Sequence, residues 1–322
     1  MATDIALAYH NLATMLDAGV PMQRSLNVVA AGLKPDGQRA FLELAQAVAN
    51  GNSLGETMAC RPAVFDPLDV MVIRAAETSG SLPELLGLLA KWYEFRRRIK
   101  RRIFSGLTLP VLLIHLVAIF APLPSYFLGG RHATAYIGAA VGILSLFYVP
   151  AGIAFVITRM TPKQGMLRRT LDRVAMRIPI LGPAVYKLSL SRYCWVFHML
   201  TRAGLPLTDC AEKAADAAGS TVVTDLVRPG AASAKNGNPV SAGFSVDLPV
   251  EFIDIWRIGE ETGELDNVTR RLAEDAGEKA ELLFHELASW LPRFVYGLVA
   301  VLMIYYIFRN LALIYGVAFQ RL

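Results

Sequence analysis

The sequence predicts an all-α membrane protein made of two repeated six-helix cytoplasmic bundles and three transmembrane helices. Three observations carry that prediction: a signature that occurs twice, three long apolar runs, and basic residues gathered beside those runs. The signature is Arg74-Ala75-Ala76-Glu77-Thr78-Ser79-Gly80-Ser81-Leu82, and it returns as Arg257-Ile258-Gly259-Glu260-Glu261-Thr262-Gly263-Glu264-Leu265. An apolar helical run leads into each copy, and a glycine follows the acidic residue at the same distance. Gly80 and Gly263 therefore read as helix C-caps, and each copy as a helix-turn-helix corner.

Composition agrees with a membrane location. A chain of 322 residues is long enough for two ordinary domains, but 54% hydrophobic residues and a mean hydropathy of +0.41 exceed what soluble cores need. Part of the chain belongs in lipid. The net charge of +5 comes from basic residues beside the apolar runs, without interleaved aromatics, which fits membrane orientation and excludes nucleic acid as an expected partner. Cys60, Cys194 and Cys210 show neither paired spacing nor a metal-ligand pattern, so buried reduced thiols are expected, with no metal and no cofactor. The first apolar stretch, Ile5 to Leu16, is broken by His10, Asn11 and Thr14, and Asp4 stands where a signal peptide carries positive charge. A cytoplasmic N-terminus is the expectation.

Taken in order, Leu12, Met15 and Leu16 mark a first helix, and Gly19 with Pro21 a corner into a second that runs to about Ala31. Phe41, Leu44, Ala45 and Val48 give a third an apolar face that stops at Asn50-Gly51. Ser53 with Glu56 is a capping box for a fourth, and Asp66-Pro67 opens a fifth that leads into the signature. Ser81 with Glu84 is a second capping box, opening a helix with Leu82, Leu85, Leu86 and Leu89 on one face. These elements define a first cytoplasmic bundle over residues 1–102.

Arg96, Arg97, Arg98, Lys100, Arg101 and Arg102 lead straight into an apolar run that begins at Ile103, interrupted only by Ser105, Thr108 and His115 before Pro122 and Pro124. The spans expected are 103–128 and 133–158, separated by the polar turn Gly129-Gly130-Arg131-His132, and each is near the roughly 20 residues that cross a bilayer. Arg159, Lys163, Arg168, Arg169, Arg173 and Arg177 follow the second. Basic residues on both outer flanks put those flanks in the cytoplasm and the turn outside.

Residues 177–290 repeat the first bundle. Ala203-Gly204-Leu205-Pro206-Leu207 echoes Ala18-Gly19-Val20-Pro21-Met22, Asn236-Gly237-Asn238 echoes Asn50-Gly51-Asn52, and Leu248 to Leu265 echoes Phe65 to Leu82. A third span follows over 294–319 and contains Arg309, a charge that must snorkel or pair.

The chemistry of the corners is unusual, because a carboxylate in the last turn of a helix opposes the macrodipole at a cost of a few tenths to about 1 kcal/mol. Glu77 and Glu260 need compensation, either from the N-terminus of the next helix or from a basic residue or cation brought by a partner. Asp247, Glu251, Asp254, Glu260, Glu261, Glu264 and Asp266 gather around the second corner, as a solvated helix face or as a docking surface for a basic partner. His115 lacks an acidic companion in the first two spans and reads as a packing contact, and Gly138 with Gly142 allows close helix approach, between the spans or in an oligomer. No phosphate-binding glycine loop, zinc-protease motif or nucleophile elbow is present, so no enzymatic activity is expected. A small multi-pass transporter is the alternative, but three spans offer little to line a midplane site.

The doubled, ordered corners resemble the type II secretion F family, the polytopic inner-membrane platform proteins of type II secretion systems and type IV pili. The resemblance covers nearly the whole chain and implies a scaffold in the cytoplasmic membrane without catalysis of its own. It implies contacts with a cytoplasmic assembly ATPase, with pilin or pseudopilin subunits, with other inner-membrane platform proteins and with lipid, and homo-oligomerisation. Its signature positions fall on Gly19, Pro21, Glu77 and Gly80, and on Gly204, Pro206, Glu260 and Gly263, as structural corners or partner-docking residues. Ala76 departs from the pattern that Gly259 keeps.

Overall fold

The computed structural model describes residues 2–123, 133–160 and 166–319, and among these the chain is helical, without strands. Glycine and proline corners divide the first part into α1 (Ala2–Asp17), α2 (Met22–Ala31), α3 (Pro35–Ala49), α4 (Leu54–Ala59), α5 (Pro67–Ser79) and α6 (Leu82–Phe120). Then follow α7 (Ala133–Met160) and α8 (Met166–Arg177). The second part runs through α9 (Leu181–Arg202), α10 (Leu207–Ala217), α11 (Thr221–Lys235), a 3-10 turn (Ser241–Gly243), α12 (Val250–Thr262) and α13 (Leu265–Phe319). The turn stands where the first part has the short helix α4.

The correspondence between the two parts is most exact at the corners. Gly19 and Gly204 have φ of 78° and 79°, Gly51 and Gly237 both 78°, and Gly80 and Gly263 both 74°. In this left-handed region a Cβ is penalised, so glycine is the residue that reverses the chain there. At the first pair the same bond closes the corner: Val20 N–H donates to Met15 O at 2.9 Å, and Leu205 N–H to Leu200 O at 3.1 Å.

Met1–Lys100 and Asp172–Glu281 form one compact unit, and Arg101–Leu171 with Leu282–Leu322 another. In the first unit, Gly277 lets α13 approach α6, since a Cβ there would lie 2.8 Å from the Phe95 ring. Arg98 also donates to Glu281 at 3.2 Å across the same pair of helices. The core of the second part is aromatic: Trp256 packs against Phe197, Phe244, Tyr193 and Phe252 with ring centroids 4.8 to 5.7 Å apart. In the second unit, Tyr136 donates to Ile119 O at 2.9 Å, and His115 meets the Tyr148 ring edge-on at 5.9 Å, a contact between α6 and α7.

Several local expectations are altered. Ser53 does accept from Glu56 N–H at 3.3 Å, but Ser81 Oγ lies 2.6 Å from Ser79 Oγ, and Glu84 turns to Arg202. A long-range guanidinium competes successfully with a local cap. Cys194 and Cys210 are buried, whereas Cys60 is exposed, because it ends the six-residue α4 at the surface. α13 continues through Pro292, since one missing N–H does not end a helix held by the turns on either side. Among the described residues no helix is long and apolar enough to cross a membrane. The Gly129 to His132 turn and the side chain of Arg309 lie outside the described residues.

Candidate functional site

Each acidic corner is built from a helix that ends in a left-handed glycine and a carboxylate placed three residues before it. At the first corner, Gly80 turns the chain and Ser81 N–H donates back to Ala76 O at 3.1 Å. Glu77 is then aimed at the start of α4. It accepts from the Ser53 hydroxyl at 2.7 Å, from Leu54 N–H at 2.5 Å and from Gly55 N–H at 3.0 Å. The compensating helix N-terminus is thus that of the preceding short helix and not the following one. The packing of α4 on α5 decides this: a Cβ at Gly55 would lie 3.2 Å from Arg74 N and closer still to its side chain, so only glycine permits the approach.

The second corner repeats the arrangement with other parts. Glu260 accepts from Val240 N–H at 2.6 Å and from Ser241 N–H at 3.2 Å, and its carboxylate also takes the Ser241 hydroxyl. The orphan donors belong to the 3-10 turn, but the pairing is the same, a half-buried carboxylate satisfying the first backbone N–H groups of the element before its own helix. Gly259 is needed here because α13 presses on it: a Cβ would lie 2.9 Å from the Val268 side chain. Both Glu77 and Glu260 therefore neutralise helix-start dipoles and tie two elements together. Pro21 and Pro206 precede α2 and α10 at φ of −55° and −58°, and their carbonyls accept from Ser25 and Cys210 N–H at 3.0 Å.

The remaining acidic residues around the second corner do not form one cluster. Asp266 meets Arg202 at 3.4 Å, Asp254 meets Arg257 at 3.5 Å, and Glu264 accepts from Asn267 at 3.2 Å. Glu251 and Glu261 lie on the outer side of α12 beside exposed Val250, Ile255 and Ile258. An open cavity of about 770 Å³ adjoins the corner, lined by Arg202, Leu207, Asn238, Val240, Glu260 and Asp266 among others.

One polar cluster in the first part was not legible from motifs. Asp69 is fully buried and its Oδ2 accepts from Tyr9 at 3.0 Å, from Tyr93 at 2.7 Å and from Asp66 N–H at 3.2 Å. It joins α1, α5 and α6 at one atom. Burial pushes its carboxyl up to about 6, against the opposing pull of the two phenols and the Asp66 N–H. The phenols of Tyr9 and Tyr93 are raised by burial and by the Asp69 charge. In the second part the position in register with Asp69 is Phe252, a member of the aromatic core. An acidic residue at a core position of α5 was the available signal.

A helical scaffold whose two parts share the same glycine corners, two of them held by a carboxylate, is the class that the fold and these sites define. The chain belongs to the type II secretion system (T2SS) protein F family, whose pattern matches residues 8–128 and 193–308. It is 27% identical to type IV pilus assembly protein PilC of Pseudomonas aeruginosa, over 93% of this chain and 86% of that protein. It is 25% identical to PilC of Thermus thermophilus, over 84% of this chain and 72% of the relative. Type II secretion system protein F of Vibrio cholerae is 24% identical, over 86% of this chain and 73% of the relative.

Proposed function

We propose that this chain is a non-enzymatic inner-membrane platform of a type II secretion or type IV pilus machine, coupling a cytoplasmic assembly ATPase to the assembly of pilin or pseudopilin subunits. The observation that carries the reading is the family match on both parts of the chain, each of which contains the same carboxylate-anchored corner. In this reading residues 103–128, 133–158 and 294–319 cross the membrane, as their apolar lengths suit. Residues 1–102 and 177–290 are the two cytoplasmic bundles, with the basic flanks inside. The corners Gly19, Pro21, Glu77 and Gly80, and Gly204, Pro206, Glu260 and Gly263, keep each bundle rigid, and the acidic, apolar-studded outer side of α12 receives a basic partner.

Deleting the gene should abolish fibre assembly or secretion while the subunits still accumulate in the membrane. Cysteines introduced at Gly130 and Leu322 should react with an impermeant reagent from outside, and cysteines at Asn52 and Asn236 should not. Labelling at Asn236 from outside overturns the topology, and solute transport by the purified protein in liposomes overturns the platform.

A further inference from the structure

We propose that the outward side of α8 is a docking surface for anionic phospholipid headgroups, an inference that rests on the membrane placement above. Arg169, Arg173 and Arg177 recur every four residues and are exposed, so they form a single stripe along the helix. Beside that stripe lie Val174, 61% exposed, and Ile178, 43% exposed, just past the helix end. A row of guanidinium groups next to two exposed β-branched side chains suits a phosphate-bearing interface, where the planar fork pairs with phosphate oxygens and the apolar groups enter the acyl boundary.

An adjoining face of α8 is fastened down. Asp172 accepts both the backbone N–H and the hydroxyl of Thr221, each at 2.8 Å, and so caps the start of α11. At the other end, the turn into α9 places Ile180 at φ 68°, a region that a β-branched residue rarely occupies. Gly182 lies so close to α8 that a Cβ there would stand 3.0 Å from Met176 Cα and nearer still to its carbonyl. The strained turn and the cap together hold the arginine stripe outward.

Position along the chain decides for lipid. Five residues separate Met160, the end of α7, from Met166, and a stretch of that length reaches roughly 20 Å at most. If α7 crosses the membrane, chain length keeps the start of α8 within that reach of the headgroup layer.

The test uses the full-length protein with Cys60→Ser and Val174→Cys, labelled with an environment-sensitive fluorophore, in nanodiscs of phosphatidylcholine alone or with added phosphatidylglycerol. Phosphatidylglycerol should shift the emission to the blue and protect the probe from an aqueous quencher. High salt should reverse both effects, as should Arg173→Gln with Arg177→Gln, while Arg173→Lys with Arg177→Lys should keep most of the shift. Circular dichroism checks that the variants are folded. Failure of the protein to co-elute with the discs overturns the membrane placement and the inference with it. Normal incorporation with identical emission in both lipids overturns the inference alone. So does a shift that depends on two copies per disc and not on lipid, which assigns the surface to a second copy of the chain.

Discussion

Arg202, in the last turn of α9, donates through Nε to Glu84 Oε1 at 2.8 Å, joining residues 118 positions apart. Its Nη1 also reaches Asp266 at 3.4 Å. The cation lies at a helix C-terminus and the two carboxylates lie in the first turns of α6 and α13, so all three charges oppose the dipoles of their own helices favourably. One guanidinium thereby joins the starts of the two longest helices to the end of a third. Its side chain is 42% exposed and that of Glu84 45%, which limits the energy. Arg202→Ala should cost no more than about 1 kcal/mol, and a double-mutant cycle with Glu84→Ala should give a coupling of similar size in chemical unfolding.

The acidic corners should matter more. Glu77→Ala leaves the N–H groups of Leu54 and Gly55 without their acceptor, an expected loss of about 1–3 kcal/mol. Glu77→Gln keeps the shape and one acceptor oxygen and should recover part of the loss. Glu260→Ala should behave alike through Val240 and Ser241. Unfolding midpoints within a few tenths of a kcal/mol of the parent would show that water satisfies these donors equally well.

Asp69 gives a pH dependence of predictable sign. Its carboxyl titrates at about 6 in the fold, above its ordinary 3.8, so the folded state binds the extra proton. Its contribution is fully present below about pH 4 and is lost as pH rises through about 6. Asp69→Asn removes that slope while leaving an acceptor for Tyr9 and Tyr93. The stability of the variant relative to the parent should therefore rise by on the order of 3 kcal/mol between pH 4 and pH 7. A flat difference across this range would place Asp69 in contact with water.

Ile180, with φ 68° and ψ −49°, is the central residue of a strained γ-turn closed by Leu181 N–H to Pro179 O at 2.8 Å. Ile180→Gly relieves that strain, and although glycine loses more freedom on folding, a net gain of about 1 kcal/mol is expected. Thermal unfolding of the purified protein measures it, and a loss of stability would mean that the Ile180 side chain contributes more by packing than its backbone costs.

The platform reading predicts a mechanical phenotype. α6 runs without a break from Leu82 to Phe120, and the platform reading uses that helix to carry force from the bundle. Inserting Gly-Gly-Ser after Lys100, beyond the contacts that Phe95 and Arg98 make with α13, should leave abundance and membrane insertion normal but abolish assembly. Assembly at the parental rate in that variant would refute the lever and leave the family assignment intact.

Local chemistry by itself determined the glycine corners and the helices of the first part, but not α8 or the turn at Ile180. Gly19, Gly80, Gly204 and Gly263 announced the corners because a left-handed residue is a one-residue problem that glycine solves wherever it occurs. Apolar periodicity likewise marked α1 to α6, since a helix face repeats within a few residues. The partners of the charged groups were decided only by tertiary packing. Glu77 found the helix before it and not the helix after it, Glu84 left its local cap for Arg202, and Asp69 drew Tyr9 from 60 positions away and Tyr93 from 24. A carboxylate pairs with whichever donors the packed helices bring within about 3 Å, and for Glu77 that distance rests on the close approach of Gly55 to α5, which no spacing in the sequence expresses.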